Sequence, residues 1–271
     1  MGMIPRTAGS ILSEASLRDL LMCSEYYDFG GSTPEKWWAP LLQQLIVHPI
    51  EQPQISINRL TQSDHPFFMA SKQLLTEIDK KKRIFKTHFA RHQFHNALMN
   101  QFENIYRSIE WYKSEPVLGP TRLRTRLSKT PIELAIQGAV AVPAPYQKGA
   151  KDRYTIIKVS EATSPLQAAR DPLLLLAASA SKTLLHSVVR KSDLHPDSCL
   201  YYIGMHANHV EFPKNPLQFK LYANRINFES LNEDKLNVLH GRLQTYEQHG
   251  SFPSWPCPVT RCKYGKRCNA F

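Results

Sequence analysis

Apolar residues recur three and four positions apart over three long parts of the chain. Residues 10 to 29, 66 to 112 and 232 to 249 follow this spacing, which is typical of amphipathic helices. The middle segment contains no Pro or Gly after its first residue and is long enough for one or two helices. A short helix is predicted at residues 37 to 47, and a Leu- and Ala-rich composition predicts another helix at residues 165 to 189.

The middle of the chain has a β-type pattern. Three segments that favour strands are separated by Pro, Gly and Lys, which predicts a three-stranded meander. Two further strands joined by a short turn, and one more candidate strand, follow the Leu- and Ala-rich helix. The meander segments are residues 122 to 127, 132 to 142 and 154 to 159, and the later strands are residues 200 to 205, 209 to 212 and 217 to 221.

These patterns divide the chain into three parts. Residues 1 to 113 form an N-terminal helical region, residues 114 to 231 hold the meander, a helix and the later strands, and residues 232 to 271 hold a helix and a Cys-rich tail. Helices and strands in this order predict an α/β fold. The tail from residue 250 onward is too short to form a core alone, so it requires a tether.

Lys and Arg outnumber Asp and Glu by 34 to 23 among the 271 residues, which leaves a formal charge of +11. This excess favours polyanionic partners, since Lys and Arg side chains that bind phosphates release the counterions condensed there. The apolar content of 42% is enough for a buried core. The longest apolar run, Leu173 to Ala178, is too short to span a bilayer, and Met1 to Arg6 does not resemble a secretory signal. We expect a soluble cytoplasmic protein with no membrane partner.

The basic residues concentrate in three clusters. One lies in a predicted long helix, one alternates with Leu and Thr in a predicted strand, and one lies among the C-terminal cysteines. Each cluster alone is equally consistent with a solvated surface, but the three together favour nucleic-acid binding. The candidate nucleic-acid-binding residues are Lys80, Lys81, Lys82, Arg83, Lys86, Arg91, Arg122, Arg124, Arg126, Arg261, Lys263, Lys266 and Arg267.

Three histidines lie beside the first basic cluster. His88, His92 and His95 share one face of the predicted helix, because they are four and three positions apart. That spacing is compatible with a metal site, but the neighbouring Arg91 favours a basic stripe that faces nucleic acid.

Five cysteines occur, and three of them form a C-terminal C-x4-C-x5-C pattern at Cys257, Cys262 and Cys268. In an intracellular protein such a cluster indicates metal more often than disulfides. A tetrahedral zinc site or an iron–sulfur cubane needs four ligands. Cys23 in the first predicted helix is the first candidate for the fourth ligand, and Cys199 or a histidine is the second. The alternative is three unligated thiols.

One cysteine in an opening helix and three near the C-terminus resemble the iron–sulfur branch of the RecB-type PD-(D/E)XK exonucleases, which includes the CRISPR-associated RecB-like exonucleases. The opening segment from Ser13 to Tyr27 fits the pattern S-x-x-S-L-x-x-x-x-x-C-x-x-x-Y. The resemblance covers most of the chain. It implies a restriction-endonuclease-like core, in which helices flank a central mixed sheet, and a 4Fe-4S cluster or zinc held by four cysteines. The family usually has two residues after the first closing cysteine, whereas this sequence has four, so both metals stay open.

In that family a G-x-x-D strand and a D/E-x-K strand hold Mg²⁺ or Mn²⁺, because these hard cations prefer oxygen ligands. The matching segments here are Gly138-Ala139-Val140-Ala141 and Lys158-Val159-Ser160. Ala141 and Lys158 replace the two acids, and Ser160 replaces the lysine. Alanine has no ligating atom and lysine repels a cation, so we expect a degenerate site with no catalytic residue.

Three functions are consistent with these features. The first is a non-catalytic DNA-binding subunit of a multisubunit nucleic-acid-targeting complex. In its narrowest form, this is a small version of the so-called large subunit of a CRISPR effector, which reads a short duplex motif beside the target. Its partners would be duplex or single-stranded DNA, guide RNA through a ribonucleoprotein complex, and other protein subunits. The second is an active Mg²⁺- or Mn²⁺-dependent RecB-like DNA exonuclease whose carboxylates have migrated to Glu133 or Glu161. The third is a zinc-bearing RNA-binding or adaptor protein.

Overall fold

A computed structural model describes residues 10–28, 30, 33, 35–82, 87–145, 149–188, 194–206 and 220–250. The chain divides into two compact units. The smaller unit comprises residues 1–35, 122–135 and 232–271, and the larger unit comprises residues 36–121 and 136–231. The Cys-rich tail and the predicted strand at 209–212 lie outside the described residues.

The helices of the smaller unit are α1 (Glu14–Met22), α2 (Ser24–Asp28) and the C-terminal α9 (Glu233–His249). The Ser13 hydroxyl caps α1 by accepting a hydrogen bond from the Ser16 N–H at 3.2 Å. The helix predicted at 10 to 29 is therefore confirmed, with a break between α1 and α2. The helix predicted at 232 to 249 is confirmed as α9.

Strands β2 (Thr121–Leu127) and β3 (Thr130–Ile136) form a two-stranded sheet joined by the turn at Ser128 and Lys129. We call this pair the β2–β3 ribbon. The outer edge of β3 is covered by Leu12, which donates to the Pro131 carbonyl at 3.0 Å and accepts from the Glu133 N–H at 2.9 Å. This pairing satisfies backbone groups that an exposed edge would leave open.

The larger unit contains most of the helices. Its long helices α3, α5, α6 and α8 correspond to segments that the sequence pattern predicts as helical, and the segment at 66 to 112 forms two helices rather than one. The helices are α3 (Ala39–Glu51), α4 (Ile57–Leu60), α5 (Pro66–Lys82), α6 (His88–Ser108), α7 (Pro165–Ala168) and α8 (Pro172–Val188), with a short 3-10 helix at Trp111–Lys113.

Helix α3 extends beyond the predicted end at residue 47 and contains Pro49 in its last turn. Proline has no N–H, so the Leu45 carbonyl four residues earlier loses its helical partner. The buried Tyr106 hydroxyl donates to that carbonyl at 3.0 Å, and the Trp111 indole N–H donates to the Pro49 carbonyl at 2.7 Å. Side chains from α6 and the 3-10 helix therefore let α3 continue through its proline.

A five-stranded mixed sheet has the order β1-β4-β5-β6-β7. Strands β5 and β6 are parallel and are connected through α7 and α8, whereas the other neighbours are antiparallel. The sheet therefore combines a meander-like half with a crossover, as in an α/β fold. The strands are β1 (Glu115–Leu118), β4 (Gly138–Val142), β5 (Arg153–Ser160), β6 (Cys199–Met205) and β7 (Leu221–Asn227).

The predicted three-stranded meander is wrong. Residues 132 to 142 form two strands, β3 and β4, that belong to different sheets. The break falls at Gln137 and Gly138. Gly138 has a φ of +152°, and a Cβ atom there would lie 2.8 Å from the Leu118 carbonyl oxygen. Only glycine permits this close approach of β1 to β4.

One face of the five-stranded sheet packs on the helical core of the larger unit. Apolar side chains from β4, β5 and β6 join those of α3, α5 and α6 in one cluster, whereas alternate residues of the same strands point to the opposite face. The strand residues in the cluster are Val140, Ile157, Val159, Tyr201, Ile203 and Met205.

Candidate functional site

The positions that match the nuclease motif lie at different heights of the β4–β5 ladder. Ala141 is paired with Tyr154, and Lys158 lies four residues further along β5. At a rise of roughly 3.3 Å per residue, this offset is about 13 Å. Lys158 and Ser160 are buried, with 4% and 1% exposure, on the face of β5 opposite Val159. The structure therefore does not bring Ala141 and Lys158 side by side.

Gln137 is the residue that lies next to the Lys158-Val159-Ser160 segment. Its backbone N–H donates to the Ile157 carbonyl at 2.8 Å, and its side-chain oxygen accepts a hydrogen bond from the Val159 N–H. Strands β4 and β5 contain no Asp or Glu. Within the described part of the chain, no group of three His, Cys, Asp or Glu side chains is arranged to hold a metal ion. The nuclease position on these strands does not fit Mg²⁺ or Mn²⁺.

A polar cluster lies at the carboxyl ends of β5 and β6, and we call Ser160, His206 and Tyr222 the strand-end cluster. Ser160 and Tyr222 are buried, and His206 is half-buried. The Tyr222 hydroxyl donates to the Ala162 carbonyl at 2.6 Å and lies 3.0 Å from the Ser160 hydroxyl. The His206 ring packs edge-on against the Tyr222 ring, with centroids 5.5 Å apart. Carboxyl ends of parallel strands are common ligand positions in α/β folds.

Glycine at position 204 makes this cluster possible. Gly204 lies between Ser160 and Tyr222 on strand β6, and the Tyr222 ring crosses over it to reach Ser160. A Cβ atom at Gly204 would lie 2.2 Å from the Tyr222 hydroxyl oxygen. Burial, with a smaller contribution from the Asp171 carboxylate, raises the pKa of Tyr222 to about 12. Tyr222 is therefore a neutral hydrogen-bond donor at physiological pH.

The two described cysteines differ in setting. Cys23 is buried in the smaller unit between α1 and α2, and its N–H donates to the Asp19 carbonyl at 3.0 Å. Cys199 is buried at the start of β6 in the larger unit, where desolvation raises the pKa of its thiol to about 11. The described residues contribute one of the four predicted ligands, Cys23, while Cys257, Cys262 and Cys268 lie outside them.

Basic residues of the first cluster are partly neutralised. Lys80 forms an ion pair with Glu77 at 2.8 Å, and Arg91 forms one with Asp79 at 3.0 Å. Such exposed pairs contribute little to stability and exchange readily with other anions. Lys81 and Lys82 lie in the last turn of α5, whereas Arg83, Lys86 and the basic residues of the tail lie outside the described residues.

The three histidines of α6 do not form one exposed stripe. His88 and His92 are exposed, but His95 is half-buried, and its Nε2 atom lies 3.1 Å from the Ser71 hydroxyl on α5. Burial lowers the pKa of His95, and the neighbouring His92 and Lys72 lower it further. His95 is therefore a packing residue between the two helices.

The predicted basic strand face is present on the β2–β3 ribbon. Arg122, Arg124 and Arg126 are exposed on one face of β2, while Leu123 and Leu127 are buried on the other. Alternate side chains of a strand lie about 6.6 Å apart. The arginines therefore form a row on one face of the ribbon, which we call the arginine row.

Glu133 on β3 lies beside the arginine row. Its carboxylate accepts hydrogen bonds from Arg122 at 2.8 Å and from Arg124 at 3.3 Å, which hold its pKa below the ordinary value. Arg126 forms no ion pair with any residue that the structure describes. One carboxylate thus faces three guanidinium groups, so the ribbon face keeps a positive charge.

The turn of the ribbon is held by Glu247 of α9. The Glu247 carboxylate accepts hydrogen bonds from the Ser128 hydroxyl at 2.7 Å, from the Lys129 N–H at 3.5 Å and from the Thr130 hydroxyl. Burial raises the pKa of Glu247, but the hydrogen bonds outweigh it, so the pKa lies below its ordinary value. An ionised carboxylate therefore fixes the turn on which the two strands depend.

No family model matches the sequence, and no curated protein shows significant similarity to it. Among the described helices, none combines the length and apolarity that crossing a bilayer requires. The arginine row on the β2–β3 ribbon is the described surface whose chemistry points most directly to a ligand class, because rows of guanidinium groups bind phosphates.

Proposed function

We propose that the protein is a DNA-binding subunit that grips duplex DNA without cutting it. The observation that carries this proposal is the arginine row on the β2–β3 ribbon. The major groove of DNA admits a two-stranded β-ribbon, and arginines bind phosphates and guanine edges through paired hydrogen bonds. The turn fixed by Glu247 supports a ribbon that keeps its shape when it binds.

The mixed sheet and the order of its strands support a restriction-endonuclease-like core, as the resemblance to RecB-type nucleases implies. In that interpretation, Lys158 and Ser160 stand at the second acid and the lysine of the motif, and Gln137 rather than Ala141 lies beside them. The buried Lys158 stands at a position where the motif requires a carboxylate to bind the metal ions. A scaffold of this kind binds DNA through its surface and leaves cleavage to another subunit.

The proposed setting is a multisubunit nucleic-acid-targeting complex, with the CRISPR effector role as its narrowest form. There the protein would contact a short duplex motif beside the target, while guide RNA and other subunits read the rest. A four-cysteine metal centre, with zinc or a 4Fe-4S cluster, is part of the proposal. Cys23 would bind it together with the three cysteines of the tail.

The first test is charge reversal of the arginine row. A variant with Arg122→Glu, Arg124→Glu and Arg126→Glu should bind a labelled 20-base-pair duplex at least tenfold more weakly at low salt, as measured by fluorescence anisotropy. Each lost phosphate contact should also reduce the slope of log affinity against log salt by about 0.9. The same formal charge change at the exposed positions Lys151, Arg170 and Arg242 is the matched control.

Equal losses in the two variants would mean that net charge, rather than the arginine row, governs binding. Cleavage is checked by incubating the wild-type protein with labelled DNA and Mn²⁺. Degradation that a Glu161→Gln substitution abolishes would contradict the non-catalytic proposal and favour the exonuclease alternative.

A further inference from the structure

A groove of about 530 Å³ lies between α3 and α5 in the larger unit. Its α5 wall follows one helical face from Met69 to Lys80, a distance of about 16 Å at 1.5 Å per residue. The α3 wall contributes Gln44 and His48. The α5 wall includes Lys72, Gln73, Thr76 and Glu77. The arginine row belongs to the other unit and takes no part in this groove.

The groove has the chemistry of an anion site. Lys72 is exposed, and its ammonium group lies 4.4 Å from the centre of the Phe68 ring, which orients the lysine side chain. Lys72 forms no ion pair with a described carboxylate, whereas Lys80 at the far end pairs with Glu77. The one acid of the groove is therefore already matched by a cation, and Lys72 supplies the unmatched positive charge.

The remaining lining groups suit nucleobases. The carboxamides of Gln44 and Gln73 and the Thr76 hydroxyl offer both donors and acceptors, which is what base edges require. Met69 is 57% exposed at the groove, an unusual position for a thioether that packs well on flat rings. One unmatched cation with amides and an apolar contact beside it matches a phosphate and its neighbouring bases.

We propose that a short stretch of single-stranded nucleic acid binds in the α3–α5 groove, at a site distinct from the arginine row. A volume of about 530 Å³ is on the scale of small-ligand pockets, and the groove is open to solvent, so it can take a segment of a longer strand. Lys72 binds a phosphate of the strand, and the glutamines and Met69 contact the adjacent bases. The protein then holds a duplex on one unit and an unpaired strand on the other.

The test uses the full chain with the arginine row reversed, so that duplex binding does not obscure the groove. A dye-labelled ten-nucleotide single strand is titrated at 50 mM salt, in DNA and RNA forms, and anisotropy is measured. Lys72→Glu should weaken binding about fivefold or more, and Lys72→Gln should reduce the salt slope by about 0.7, the value for one single-strand phosphate contact. Lys151→Glu, at an exposed position outside the groove, should change neither quantity. Thermal unfolding of each variant establishes that the loss is not one of folding.

Three results would overturn the groove proposal. The first is that Lys72→Glu and Lys151→Glu change the affinity for the single strand equally. The second is that reversal of the arginine row abolishes all single-strand binding. The third is that adenosine monophosphate competes as strongly as the unlabelled oligonucleotide at equal phosphate concentration. None of these concerns duplex binding by the arginine row, so the two proposals fail separately. Photocrosslinking of a bromouracil-substituted strand should in addition label the peptide that contains Met69 and Lys72.

Discussion

Among single residues, Gly204 most directly controls the strand-end cluster. Its missing side chain lets the Tyr222 ring cross β6, and the Tyr222 hydroxyl then hydrogen-bonds at the end of β5. The sequence alone does not predict this contact, because Ser160 and Tyr222 are 62 positions apart and belong to strands that are not neighbours. A glycine inside an apolar strand is the one local signal, since it marks a close approach.

Gly204→Ala should destabilise the larger unit. The new methyl group would overlap the Tyr222 ring, which is anchored at its hydroxyl, so the ring must leave the strand-end cluster or β6 must shift. Overpacking of this kind costs about 1–3 kcal/mol. Urea unfolding followed by circular dichroism measures the difference in the free energy of unfolding.

Gly241→Ala is the matched control for Gly204→Ala. Gly241 lies in α9, and a methyl group added there would have no neighbouring atom within 4 Å beyond its own helical turns, so alanine should stabilise the helix by about 0.5–1 kcal/mol. Destabilisation at both positions would show that the Tyr222 overlap is not the cause at Gly204.

At the scale of elements, local patterns predict much of the helical structure, but they do not predict how strands pair. The alternation at 122 to 127 correctly gives a strand with exposed arginines and buried leucines. The continuous apolar run at 132 to 142 gives no sign that its halves belong to different sheets. Pairing partners depend on packing between distant segments, and hydrophobic period alone does not contain that information.

The β2–β3 ribbon depends on a similarly distant contact. Glu247 and Thr130 are separated by 117 positions, so no local motif predicts that α9 holds the turn. Ser128 has a φ of +59°, a left-handed conformation that a serine adopts at some cost. The three hydrogen bonds to Glu247 offset that cost and explain why the turn does not require glycine.

Glu247→Gln should lower stability by about 1–3 kcal/mol at pH 7, because an amide replaces one accepting oxygen with a donor that faces hydroxyl and N–H donors. The pKa of Glu247 is lowered in the folded state, so its contribution is present above the unfolded value of about 4.5 and is lost as the pH falls through the folded value. The difference between wild type and variant should therefore narrow below pH 4.5. Urea unfolding at pH 7 and pH 3.5 measures it.

The exposed Glu229 provides the control for this substitution. Glu229→Gln should leave stability at pH 7 within about 0.5 kcal/mol of the wild type, as is usual for surface changes. A pH-independent loss in Glu247→Gln would mean that the shape of the side chain, rather than its charge, holds the turn.

For the whole molecule, the sequence correctly predicts an α/β fold with a mixed sheet flanked by helices. It does not predict that segments from both ends of the chain and from its middle form one compact unit while the remainder forms another. The candidate binding sites likewise divide into one that the sequence predicts and one that it does not. The arginine row is predictable from its period of two, whereas the α3–α5 groove is not, because its walls come from two helices whose packing the sequence leaves open.

The proposed metal centre is a whole-molecule property, since it would join the first helices to the tail. Cys23 and Cys199 give a matched pair of substitutions, because both thiols are buried and only Cys23 lies in the unit that contains the tail. Cys23→Ser should lose bound zinc or iron and unfold at a lower temperature, since a structural metal contributes its binding energy to folding. Cys199→Ser should keep the wild-type metal content, because the proposed centre takes its fourth ligand from Cys23 and not from Cys199. Elemental analysis with a visible spectrum of anaerobically purified protein measures both variants, and equal metal content in Cys23→Ser and wild type would exclude Cys23 as a ligand.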